Sequence, residues 1–183
     1  ERMGAITRQL KSYARKGGEA FEPVDLRAAL SSALVMMEPQ LRNRTIKLQR
    51  NIPRYPVMVY CDRIRLEQIV INLLRNAVDA IKDVRDPAIE ITVSSGSHAF
   101  LSVRDNGPGV SDLENLFEPF FTTKKPGEGT GLGLAISSGI AADFGGRLTA
   151  HNASDEGGKG AVFELELPLL DPGRKAGPRL AAE

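Results

Sequence analysis

Five polar residues, Gln68, Asn72, Asn76, Asp79 and Asp83, recur at steps of three or four. That spacing puts them on one face of a helix. Around them Leu66, Ile69, Val70, Leu73, Leu74, Ala77, Val78, Ala80 and Ile81 cover most of the circumference. Such a helix is largely buried, and its stripe faces either solvent or a polar cavity. An ordinary solvated edge carries Lys or Glu; this one is rich in carboxamides, and Asn is a poor helix former. A carboxamide oxygen is a neutral, hard ligand suited to a Mg²⁺ ion that keeps most of its waters and phosphate contacts.

A second candidate lies downstream. Ala99, Leu101, Val103 and Asp105 share one strand face by two-residue alternation, so Asp105 ends an apolar row. A carboxylate there needs a partner. Gly107, Pro108 and Gly109 follow, allowing a sharp turn and close approach to a ligand. The exocyclic amine of a purine is one suitable partner; a simple Asn-Gly turn between strands accounts for the five residues equally well.

Phe117, Phe120 and Phe121 fall within five residues, followed by Thr122, Thr123, Lys124 and Lys125 and then GEGTGLGLAI. Gly129, Gly131 and Gly133 sit where a helix begins, so its N–H groups and dipole form a phosphate site, with charge from Lys124 or Lys125. No Gly-Lys-Ser/Thr follows, and no strand leads directly into the glycines, which excludes a Walker loop and the dinucleotide fingerprint. An aromatic-anchored loop ending on a phosphate site reads as a lid over a nucleotide.

The elements that must position these groups follow from periodicity and breakers. Met3, Ile6, Leu10 and Tyr13 give residues 1–16 an amphipathic stripe, ended by Gly17-Gly18. It packs either on its own domain or in a dimeric bundle. An extended segment at Phe21–Leu26 precedes a helix over 27–43, and Ile46–Ile52 and Val57–Cys61 read as strands. Asp62 is placed to cap a helix running to about Val84. Strands are expected at Ile89–Ser95 and Ala99–Asp105, a loop over 106–129, a helix at Gly131–Phe144, and strands at Arg147–His151 and Ala161–Leu167. Residues 171–183 have little to bury and read as a disordered tail. Strand pairs with separated helices predict an α+β two-layer sandwich with helices on one face of a mixed sheet.

Lys plus Arg (24) and Asp plus Glu (23) nearly cancel, so no global basic field favours nucleic acid. Cys61 is the only cysteine, which rules out an internal disulfide and fits a reducing cytosol. No stretch has the length of a membrane span. The chain starts at Glu1, which reads as a fragment of something longer.

In this order and spacing the segments resemble the GHKL superfamily of gyrase, heat-shock chaperone and histidine kinase ATPases. NLLRNAVDA is similar to its N box, DNGPG to the first glycine box, FEPFFTTK to the F box, GEGTGLGLAI to the second glycine box, and GKGAVFELELP to the closing strand of histidine kinase domains. The resemblance covers about residues 21–168. The wording FEPFFTTK with NAVDA is most similar to the nitrogen-regulation and dicarboxylate-transport sensor kinases.

The resemblance implies a Bergerat-type sandwich over 19–170 that binds ATP and Mg²⁺. Asn76 would bind Mg²⁺, and Asn72 would line the metal and phosphate site. Asp105 would take the adenine amine, with Gly107 and Gly109 shaping that contact. Phe117, Phe120 and Phe121 would anchor the lid; Thr123, Lys124, Gly129, Thr130, Gly131, Leu132 and Gly133 would handle the phosphates. The hydrolysing branches place a Glu one turn before the metal-binding Asn. Here Asn72 stands there and cannot act as a base, favouring transfer to an acceptor.

A kinase of this kind needs an acceptor histidine followed by an acidic residue and shortly by proline. His98 and His151 are the only histidines, and both lack that context, reading instead as surface or turn residues. Residues 1–18 would be the end of the second helix of a dimeric phosphoacceptor hairpin. The implied partners are that helical domain and the receiver domain of a response regulator, with a homodimeric parent anchored in the bacterial inner membrane and this domain cytoplasmic. A clamp-driving ATPase, a silent nucleotide-sensing module and an anti-sigma serine kinase are the competing readings.

Overall fold

The computed structural model describes residues 21–123, 129–153 and 159–170. The expected stub, Lys124 and the tail from 171 lie outside them. Strand β1 (Glu22–Asp25) leads into α1 (Leu26–Asn43), followed by β2 (Lys47–Asn51), β3 (Met58–Cys61) and α2 (Arg63–Ala80). Then come β4 (Ala88–Ser95), β5 (His98–Asp105), α3 (Gly133–Asp143), β6 (Arg147–Asn152) and β7 (Ala161–Pro168).

Five strands form one sheet in the order β2-β4-β5-β7-β6, and β1 pairs with β3 in a separate ribbon. Only β2 and β4 run parallel within the five-stranded sheet, so it is mixed. The register stacks Ile91 on Val103 and Val103 on Phe163, and Val93 on Leu101 and Leu101 on Leu165. These side chains are buried, whereas Glu90, Thr92, Ser102, Arg104, Glu164 and Glu166 on the alternate face are only half-buried. That is the two-layer α+β sandwich expected from the pattern.

The helix layer is anchored by α2, whose Leu66, Ile69, Val70, Leu73, Leu74 and Ala77 are fully enclosed. Each large side chain of this kind contributes about 1.5–3 kcal/mol by leaving water. Asp62 caps α2 by accepting the Arg65 N–H at 3.0 Å, and Asp25 caps α1 through the Arg27 N–H. Pro39 lies within α1, on its exposed side, and the helix continues past it.

α2 is shorter than its apolar pattern predicts. It stops at Ala80 instead of running to Val84, because Ile81 closes the last turn and Lys82 and Val84 make tighter three-residue bonds to Asp79 and Ile81. Arg44 donates to the Val78 carbonyl and so satisfies part of that C-terminus. Similarly α3 begins at Gly133 rather than Gly131. The histidines lie in strands rather than turns: His98 opens β5 beside Glu166, and His151 lies in β6. Among the described residues no helix is long and apolar enough to cross a membrane.

Candidate functional site

The polar stripe of α2, the end of β5 and the start of α3 converge. Asp105 is 2% exposed, and both of its backbone donors among the described residues use one oxygen: Oδ1 accepts from Gly107 N–H at 2.8 Å and from Ala161 N–H at 3.4 Å. Among the described residues no donor reaches Oδ2. Burial pushes this carboxyl above the usual range, and the two backbone N–H groups partly offset that. The site therefore holds a desolvated carboxylate with one oxygen fixed and the other left for a donor.

The turn after Asp105 is braced. Asn106 Oδ1 accepts from Ala88 N–H at 2.9 Å, and its Nδ2 donates to the Asp86 carbonyl at 2.8 Å. Gly107 lies against the last residue of α2, since a Cβ there would come 2.9 Å from the Ala80 carbonyl. Gly109 has φ +84°, and a Cβ on it would lie 2.6 Å from Asn152 Oδ1. The room opened by these two glycines is thus taken by the protein itself rather than left for a ligand.

On α2, Asn72 and Asn76 are half-buried one turn apart. Asn72 Nδ2 donates to Ser137 Oγ at 3.0 Å, and its Oδ1 lies so near Gly133 that a Cβ there would come within 2.5 Å. At Asn72 the stripe therefore faces the first turns of α3, whereas Asp83, beyond the end of α2, is exposed. Among the described residues the Asn76 side chain makes no hydrogen bond. Unlike α1 and α2, α3 has no side-chain cap; the Leu132 N–H reaches Thr130 Oγ1 at 3.4 Å, and the first-turn amides of the helix remain as donors.

Among the described residues, one tie between the loop and the approach to α3 is the Phe120–Gly131 contact. Phe120 has φ +69° and donates its N–H to the Gly131 carbonyl at 2.9 Å, while Gly131 itself has φ +65° and packs its Cα against the Phe120 backbone. The three phenylalanines expected to anchor the loop sit differently. Phe117 packs against the core and Phe121 is half-buried, but the ring of Phe120 is 72% exposed. Its left-handed backbone turns the side chain outward, and its hold on Gly131 runs through the main chain. Thr123, Gly129 and Thr130 are exposed beside this junction.

Among the described residues no three His, Cys, Asp or Glu side chains cluster in a metal-binding arrangement. A cation held by protein alone does not fit. A Mg²⁺ ion that takes one carboxamide oxygen and otherwise keeps water and phosphate does fit Asn76.

Residues 61–171 match the pattern of the histidine kinase-, DNA gyrase B- and HSP90-like ATPases. The chain belongs to that family. It is 41% identical over 182 residues to the C4-dicarboxylate transport sensor protein DctB of Pseudomonas aeruginosa, covering 97% of this chain and 29% of that protein. It thus spans less than a third of that relative's length. Among solved structures it is similar to the nucleotide-free catalytic domain of histidine kinase ThkA, with a TM-score of 0.71 at 31% identity over 82% of this chain and 98% of that one. ThkA in complex with the response regulator TrrA gives a TM-score of 0.76 at 27% identity, over 94% and 49%. This ATPase-family chain is therefore an ATP-binding domain of the sensor histidine kinase type. Two contributors to its site, Ser137 and Asn152, lay outside the motifs read from the sequence, and Gly160, inside GKGAVFELELP, had been given no part in the site. Each meets its partner there only through β6, β7 or α3, across more than 40 residues of chain.

Proposed function

We propose that this domain holds Mg·ATP and transfers the γ-phosphoryl group to a histidine on a helical phosphoacceptor domain, for relay to an aspartate of a response regulator. The observation that carries the base-binding half is Asp105, with Oδ1 bonded to two backbone amides and no donor at Oδ2 among the described residues. An adenine amine supplies the missing donor. Gly107 and Gly109 keep the turn against α2 and Asn152, so that Oδ2 is presented in one place.

At the other end, the amides of Gly129, Thr130, Gly131, Leu132 and Gly133 would receive the phosphates at the uncapped start of α3. Lys124 would add charge, and Thr123 a hydroxyl. Asn76 would give Mg²⁺ its protein oxygen, and bound Mg²⁺ would neutralise charge on the phosphates. Asn72, tied to Ser137, would line this end without acting as a base, so the attacking atom is the acceptor's imidazole nitrogen rather than an activated water. A P–N bond forms as the bond from the γ-phosphorus to the bridging oxygen breaks, and ADP leaves. Phe117 and Phe121 would hold the loop's near end.

His98 and His151 lack the acidic-proline context of an acceptor, which we place outside this chain, in a homodimeric parent whose membrane anchor leaves this domain cytoplasmic. The test is incubation of the 183-residue chain with Mg·[γ-³²P]ATP, alone and with a separately supplied helical domain. Label on the helical domain only, with little phosphate released to water, is the expected result. Stable acid-labile label on this chain, or steady phosphate release without an acceptor, overturns the reading.

A further inference from the structure

One residue outside every motif grips the purine-facing turn from behind. Asn152, the last residue of β6, accepts the Val110 N–H on Oδ1 at 2.7 Å and donates from Nδ2 to the Val110 carbonyl at 2.9 Å. A single carboxamide thus satisfies both backbone groups of one residue 42 positions away. Only Asn or Gln carries a donor and an acceptor so paired, and Asn has the shorter reach. The same oxygen occupies the space beside Gly109, where any Cβ would collide with it.

The chain then turns back over the carboxylate. Ala153 N–H donates to the Gly160 carbonyl at 2.9 Å, closing the neck of the β6–β7 connection. Gly160, at φ +98°, presses its Cα against the Asp105 carbonyl, and Ala161 N–H reaches Asp105 Oδ1. Asn152 and Gly160 therefore form one brace, holding residues 105 and 110 on either side of the glycine turn.

We propose that Asn152 is a positioning residue for base recognition: by clamping Val110 it fixes the Asp105–Val110 turn so that Asp105 Oδ2 meets an exocyclic purine amine. This rests on the reading of Asp105 given above. Loss of the clamp frees the turn at its far end and leaves α2, the phosphate end and the sheet in place.

The experiment compares Mg-dependent binding of ATP and of purine riboside triphosphate, which lacks the amine, by calorimetry on the 183-residue chain. Asn152→Ala is expected to weaken ATP about tenfold while purine riboside triphosphate changes little, so discrimination collapses. Asn152→Asp keeps the volume and the bond from Val110 N–H but sets a carboxylate against the Val110 carbonyl. It is expected to lose discrimination as Ala does, whereas a space-filling role predicts that it behaves as the parent. Unchanged discrimination in the folded variants, or equal loss for both nucleotides with a lowered Tm, overturns the proposal. Asp105→Asn separates the two claims. If it leaves discrimination intact, the base reading itself fails; if it abolishes discrimination and the Asn152 variants do not, only the role of Asn152 fails.

Discussion

At the end of β5 the Asp105 turn is tied from several directions: Asn106 to the start of β4, Gly107 to the end of α2, and Asn152 with Gly160 to the β6–β7 connection. At the start of α3 the ties are of another kind and include Asn72 to Ser137, Thr130 to the Leu132 amide, and the Phe120–Gly131 backbone contact. The first end spends its polar groups within the protein and leaves one carboxylate oxygen over. The second leaves a helix terminus of amides and a carboxamide unspent. Base recognition depends on the angle of one hydrogen bond and profits from a frame fixed before binding. Phosphate binding by several amides and a hydrated cation tolerates, and is completed by, the ligand.

That contrast breaks most readily at Gly160. A side chain there meets the Asp105 carbonyl and is strained at φ +98°. Gly160→Ala is expected to lower unfolding free energy by about 3 kcal/mol, read as a lower urea midpoint at unchanged slope. A midpoint equal to the parent's would mean that the brace yields, and the base end is not the rigid one. At the phosphate end, Asn76→Ala is expected to cost about tenfold in ATP affinity with Mg²⁺ present and little without it. An equal loss in both titrations would make Asn76 a packing residue and leave the cation to other groups.

The smallest effect is on pH, and it distinguishes binding from folding at the base end. The folded Asp105 carboxyl titrates above the ordinary carboxylate range because it is buried. Its ionised form is the stronger acceptor for the amine, so ATP affinity falls as pH drops through the raised value. Stability moves the other way. The favourable contribution of protonated Asp105 is fully present below the ordinary aspartate value and is lost as pH rises through the raised one. Nucleotide titrations and urea melts of the parent against Asp105→Asn, across that window, should diverge in opposite directions.

Much of this was legible in the sequence because the signals are local. Period-two alternation gave β4, β5 and β7 and placed Asp105 on the buried face. Asp62 announced the start of α2, and the carboxamides at 72 and 76 marked its unusual stripe. The end of α2 was not legible: Ile81 continues the apolar pattern, while the turn bonds of residues 82 and 84 and the Arg44 contact accompany the stop at Ala80. The outward ring of Phe120 was hidden for the same reason, since a backbone sign is set by a contact with Gly131, not by residue type.

The residues themselves determined the chemistry available: a carboxylate ending an apolar row, carboxamides instead of a Glu at position 72, and amides freed by glycine at a helix start. The tertiary structure decided which oxygen of Asp105 is left over and what the glycines make room for. Asn152 lies 42 residues from Val110 and Gly160 lies 55 from Asp105, and each touches its partner only because β7 pairs with β5 and β6 with β7. Side-chain type and short spacing are written in the chain, whereas a close approach between distant segments exists only once the sheet has set its register.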